Sequence, residues 1–164
     1  MLKKILFFGL CFIFVNIAHA EIKEFTNSFD NSKYIYSVSE KTKVQFPKFF
    51  SFRKIIRPDN TKYYISIKNN NDVSKLFSNF EDIRIKINDD VIYSCPTTIS
   101  TLSDLTTQAT ILLNDEIINN FGNIQKITFQ IPVFMERSSL IESYYYVELP
   151  KVVFTEWQQV ISRE

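Results

Sequence analysis

The sequence predicts a mainly β, β-rich α+β fold: a two-layer β-sandwich-like domain with two short helices and a C-terminal amphipathic helix. Two observations carry that expectation. Short runs with alternating apolar residues recur along the chain, as in Ile83, Ile85 and Ile87 separated by Arg84 and Lys86; period two is the pattern of a strand with one wet face. Before the C-terminus, the only segments with helical spacing are shorter than about 12 residues, so they must lean on a sheet to persist. About eight strands and three small helices fit two packed sheets with helices at their edges or ends.

The first twenty residues stand apart from this pattern. Lys3 and Lys4 precede an apolar run, Ile5–Ile17, and the stretch closes on Ala18-His19-Ala20. A charged start, a short greasy middle and an A-x-A end describe a cleaved secretory signal. The run falls short of the roughly 20 residues that span a bilayer. Leu10, rather than a small residue, precedes Cys11, so a lipoprotein cleavage site is not expected there. The expectation is therefore a signal over residues 1–20, a single domain over 21–164, and a periplasmic or secreted location.

Cleavage would leave 144 residues, and seventeen cations would face eighteen acids for a net charge of −1. A domain of that size buries enough surface to fold without staples. Near-neutral charge gives no general reason to expect nucleic acid. No apolar run after Ala20 approaches membrane-spanning length, so no transmembrane segment is expected in the mature chain. His19 is the sole histidine and lies in the signal, as does Gly9, leaving Gly122 as the one glycine of the domain. That excludes Ser-His-Asp and Cys-His catalysis, imidazole metal ligation, and the glycine-rich phosphate loops of nucleotide-binding folds. No cofactor, metal or catalytic residue is expected. Cys95 is the only thiol of the domain and alternates with Val91 and Tyr93, which predicts a buried cysteine packed as a small hydrophobe.

Taken in order, Ile22 and Phe25 suggest an edge strand before the turn-rich Asp30-Asn31-Ser32. Lys33–Val38 reads as a strand with Tyr34, Tyr36 and Val38 opposite Ile35. Phe49–Arg57 and Thr61–Lys68 form a hairpin around Pro58-Asp59-Asn60, with Phe50, Phe52, Ile56, Ile65 and Ile67 inward. A helix is expected over Asn71–Asn79, capped by Asp72, with Val73, Leu76 and Phe77 on one face. Asp82–Ile87 and Val91–Cys95 make a second hairpin through Asn88-Asp89-Asp90. Pro96–Thr106 reads as a long connection and Thr107–Leu113 as a strand. Asn114 and Asp115 open a short helix that Gly122 stops. Strands follow at Ile124–Met135 and Ser143–Leu149, with a turn at Glu136–Ser139 between them. Pro150 then leads a terminal helix with Val153, Trp157, Val160 and Ile161 in one stripe. A 44-residue shift lays Phe77, Ile83 and Ile85 over Phe121, Ile127 and Phe129, a weak internal repeat of strand, helix and strand.

Two surfaces could bind. Between Lys41 and Lys62 seven cations, among them Lys48, Arg53, Lys54, Arg57 and Lys62, face the single acid Asp59, with phenylalanines interleaved; such a mix can hold an anionic polymer or surface. The plain alternative is a hairpin with rings in the core and charges in water. Tyr144, Tyr145 and Tyr146 form the second candidate, since exposed tyrosine is good interface material. Glu81-Asp82, Asp89-Asp90 and Asp115-Glu116 are the only material for a histidine-free hydrolase of envelope polymers. Neighbours in a strand point apart, however, and the latter two pairs suit a turn and a helix start. The sequence favours an exported, non-catalytic protein of the bacterial envelope that binds another envelope or secreted protein. The carboxylate hydrolase and the anionic-surface binder are the alternatives.

Overall fold

The computed structural model describes residues 21–39, 47, 49–70, 75–78, 81–103, 106–135 and 141–164. Eleven strands and two helices follow one another among them. They are β1 (Ile22–Thr26), β2 (Lys33–Ser39), β3 (Phe49–Ile56), β4 (Thr61–Asn70), β5 (Lys75–Phe77), β6 (Ile83–Ile87), β7 (Val91–Cys95), β8 (Thr97–Ser103) and β9 (Thr106–Leu113). Then come α1 (Asp115–Asn120), a single 3-10 turn at Phe121–Asn123, β10 (Ile127–Met135), β11 (Ile141–Glu148) and α2 (Lys151–Ser162). The fold is the expected β-rich sandwich. One sheet has six strands in the order β1-β2-β3-β4-β9-β8. The other has the order β11-β10-β6-β7, with β5 pairing β10 beyond the end of β6. All pairings are antiparallel.

Both predicted hairpins form. In the first, Phe50 pairs with Ile67 and Phe52 with Ile65, and the Arg57 N–H donates to the Asn60 carbonyl at 2.8 Å to close the turn. In the second, Asn88 and Asp89 take φ of 52° and 61°, and the Asp90 N–H reaches the Ile87 carbonyl at 3.1 Å. Two left-handed central residues make a type I′ turn, whose twist matches that of the flanking strands. The Asn88 side chain then ties this turn to the start of β10, accepting from the N–H groups of Gln125 at 2.8 Å and Lys126 at 3.2 Å.

The core lies between the sheets and is closed at one end by α2. Phe50, Phe52, Ile65 and Ile67 from the six-stranded sheet meet Ile83, Ile85, Phe129 and Ile131 from the other. Trp157 of α2 is fully buried; its ring stacks on Phe52 at 5.3 Å and meets Phe121 at 6.3 Å and Phe129 edge-on at 6.4 Å. One helical residue thus joins both sheets and the turn after α1. Pro132 is buried in the central strand β10, where a missing donor is normally costly. It lies past the last partner of β6 and opposite Ser78 at the end of the β5 ladder; its carbonyl still accepts from the Ser78 N–H at 3.0 Å, so the proline costs only the reciprocal bond of that terminal pair.

Several local expectations are corrected. Residues 75–77 are a strand rather than a helix, because the exposed edge of β10 past β6 offers them a ladder; the cap Asp72 and Val73 lie outside the described residues. Among the described residues α1 is the one short α-helix before α2. The Thr-rich stretch 97–103 is a strand paired with β9, not a connection. Gly122 has no left-handed φ and lies in the 3-10 turn, so it is not a glycine C-cap. Phe77 in a strand and Phe121 in a 3-10 turn give the 44-residue repeat two different backbones. Val91, read as sharing the buried side with Tyr93 and Cys95, is 45% exposed because it stands at the end of an edge strand. Residues 1–20 and 136–140, the expected signal and turn, lie outside the described residues.

Candidate functional site

Directly paired residues of an antiparallel sheet share a face, so the register of the six-stranded sheet lays out its outer surface. One row runs Lys23, Tyr36, Arg53, Tyr64, Leu112 across β1, β2, β3, β4 and β9. The next runs Phe25, Tyr34, Ile55, Lys62. On the other side of the first row come Val38, Ser51, Ser66, Thr110, Thr98 and then Phe49, Lys68, Gln108, Ser100. These outward positions hold the cations Lys23, Arg53, Lys62 and Lys68, with five aromatic rings and no Asp or Glu.

The alternation that makes these strands also places the rings outside. In β2 the core side is Ile35, Ser37 and Ser39, all buried, while Tyr34 and Tyr36 are half-buried and Val38 is exposed. Phe25 is 51% exposed and Leu112 49%. Phe25 and Tyr34 stack in parallel at 4.5 Å, and Tyr36 meets Phe25 edge-on at 6.3 Å. The Arg53 guanidinium lies 5.0 Å from the centre of the Tyr64 ring, a cation–π contact that fixes its orientation. The result is a broad surface of rings and aliphatics with cations set among them.

Of the residues singled out in the basic hairpin, Arg53 and Lys62 belong to this face. Arg57 lies past the end of β3, exposed, and its guanidinium helps hold the Asp30 carboxyl below its ordinary range, behind the hydrogen bonds from Ser32. Lys48 lies outside the described residues. Lys54 is not part of the surface: it shares the core side with Phe50 and Phe52 and is 7% exposed. The hairpin is therefore not simply rings inside and charges in water. Ile56, expected inward, is on that side but only half-buried, and Ile55, on the outer side, is covered to 7% exposure.

Tyr144, Tyr145 and Tyr146 sit on β11, at the edge of the other sheet. Tyr145 turns toward the core and is half-buried; Tyr144 and Tyr146 face outward, 39% and 68% exposed. The Tyr144 hydroxyl donates to the Glu81 carboxylate at 2.6 Å, and that bond is the main cause of its raised pKa. The Tyr146 hydroxyl accepts from Gln130 at 2.9 Å. The fold thus puts the tyrosines and the Arg53 face on opposite outer surfaces of the sandwich rather than bringing them together.

The carboxylates are dispersed among separate partners. Glu81 binds Tyr144, Asp82 accepts from Ser94 at 3.4 Å, and Asp115 and Glu116 occupy the first turn of α1. Asp89 is bound by Lys126 at 2.9 Å and Lys86 at 3.5 Å, and the Lys126 hydrogen bond holds its carboxyl below the usual range. Among the described residues no three His, Cys, Asp or Glu side chains gather as a metal site, and no helix is long and apolar enough to cross a membrane. Cys95 is 1% exposed and its thiol is pushed up to about 12, first by burial and then by Asp82.

No protein-family model, curated protein or solved structure matches this chain. Phe25, Tyr34, Tyr36 and Leu112 were not among the surface residues expected from sequence, whereas Tyr64 belongs to the aromatics of the basic hairpin. The alternation of Tyr34, Tyr36 and Val38 against Ile35 carried the signal. Only the cross-strand register aligns those residues with Arg53.

Proposed function

We propose that this chain is an exported binding protein of the bacterial envelope, and that the outer face of the six-stranded sheet holds an anionic macromolecular partner. One observation carries the reading: Lys23, Arg53, Lys62 and Lys68 share one sheet face with five aromatic rings, and no acid stands among its strand-paired positions. A face of one charge sign raises the local concentration of an opposite partner. Rings and aliphatics between the charges supply contact area at low entropic cost. Lys23 is partly neutralised by Glu21 at 3.1 Å, so Arg53, Lys62 and Lys68 bear most of the attraction. The export half of the reading rests on the Lys3-Lys4, Ile5–Ile17 and Ala18-His19-Ala20 pattern.

Retention on an immobilised sulfated polysaccharide tests the surface. The protein recovered from the envelope of cells expressing the full chain should begin at Glu21 and elute earlier as salt rises, because exposed charges are screened over roughly 8–10 Å. Arg53→Glu with Lys62→Glu should abolish retention while leaving the thermal midpoint in place. Retention indifferent to salt and to charge reversal overturns the surface. A product that keeps Met1 overturns export.

A further inference from the structure

We propose that two copies of this chain associate through β8, pairing antiparallel about a two-fold axis at Ile99 to join their six-stranded sheets into one. β8 is an edge strand whose one hydrogen-bonded strand neighbour among the described residues is β9. An edge strand presents a row of unpaired backbone donors and acceptors, and proteins ordinarily blunt it with charge, proline, brevity or a bulge.

Among the described residues the other edges carry such devices, and β5, which pairs β10 alone, is only three residues long. β1 holds Lys23 and Glu24, both in ion pairs. β11 holds Glu142 and Glu148. β7 is five residues long against seven in β8, and it opens directly on the charged turn Asp89-Asp90. β8 runs for seven residues, Thr-Thr-Ile-Ser-Thr-Leu-Ser, with no charge and no proline. Its register with β9 is regular from Thr97 to Thr101 and shifts only after that. Thr98, Ser100 and Thr101 are exposed, and Leu102 is 52% exposed.

The regular stretch is compatible with itself. Its centre is Ile99, so antiparallel apposition puts Ile99 against Ile99 on the core side. Thr98 then faces Ser100 on the outer side, and Thr97 faces Thr101. Hydroxyl pairs and an apolar pair are favourable cross-strand neighbours. The same operation on β1 would set Glu24 against Glu24, and like charges directly opposite are unfavourable. That contrast selects a second copy at β8. Because paired residues share a face, the two outer surfaces become one, and the cations of both copies lie on one continuous sheet.

The test reads mass and crosslinking rather than partner binding, so it stands whether or not the outer face binds a polyanion. Protein purified from cells expressing the full chain should show a concentration-dependent dimer mass by sedimentation. Thr98→Lys with Ser100→Lys sets ammonium against ammonium across each pair; the dimer should be lost while the circular dichroism stays unchanged. For register, a Thr98→Cys variant mixed with a Ser100→Cys variant should form a disulfide dimer under mild oxidation, since facing residues lie within disulfide reach; the buried Cys95 does not compete. Neither variant alone should link as well. A monomer at every concentration, a dimer that survives the lysine pair, or a mixture that links no better than either variant alone overturns the proposal.

Discussion

The Lys54 ammonium, on the core side of β3, donates a 2.9 Å hydrogen bond to the carbonyl of Ile161 in the last turn of α2. It donates also to the Arg163 carbonyl. The last carbonyls of a helix have no internal partner, and a cation there suits the negative end of the helix dipole. Lys33 adds a bond to the Glu164 carbonyl, and Arg163 reaches back to Glu24 of β1 at 2.6 Å. The end of α2 is therefore fastened to three strands by polar contacts, while its Trp157 enters the core.

Lys54→Met keeps the aliphatic stem and removes both donors. Bonds from a charged donor contribute roughly 1.5–3 kcal/mol, and desolvation, which holds the Lys54 pKa below its ordinary value, offsets part of that, so a urea titration should show a loss below that range. An unchanged midpoint would mean that apolar packing alone holds the helix.

Trp157 is the only tryptophan and is fully enclosed by Phe52, Phe121 and Phe129. Trp157→Ala should cost about 3–5 kcal/mol by cavity formation, measured by chemical denaturation followed by circular dichroism. In the natural protein its emission should move to the red in one transition that coincides with loss of the strand signal. Two separated transitions would show that α2 leaves the sheets before they melt.

Cys95 should react with a disulfide reagent at pH 8 only as fast as the protein opens, since its thiol is pushed up to about 12 and 1% exposed. Reactivity follows thiolate and access together. Stoichiometric reaction within seconds, in protein whose fold is intact, would contradict that placement.

Acid should loosen the contacts around Glu24. Its carboxyl is held below the ordinary value of 4.5, first by the Arg163 hydrogen bond and then by Lys33. A folded-state value below the unfolded one gives stability that is present above the unfolded value and lost as pH falls through the folded value. Thermal midpoints measured from pH 7 down to pH 2 should fall less steeply below pH 4.5 for Glu24→Gln than for the natural protein. Parallel curves would remove Glu24 from the acid response.

What the sequence determined by itself is local: period, turn chemistry and the supply of apolar residues. Ile83, Ile85 and Ile87 against Arg84 and Lys86 specify a strand wherever a core is available, and Asn88-Asp89 accept the left-handed dihedrals of a tight turn. The stripe of Val153, Trp157 and Val160 likewise specifies a helix with one buried face. Tertiary structure decided the rest. Lys75–Phe77 is a strand because β10 offers it a ladder, three residues having too weak a preference of their own; the Thr and Ile of Thr97–Ser103 are β-branched and favour a strand, and β9 supplies the partner that makes it one. Lys54 reads like its charged neighbours, yet it turns inward because α2, more than a hundred residues later, brings unpaired carbonyls to meet it. Arg53 comes beside Tyr36 and Tyr64 for a similar reason. A surface made by pairing strands belongs to their register, and register is set by which faces are buried together.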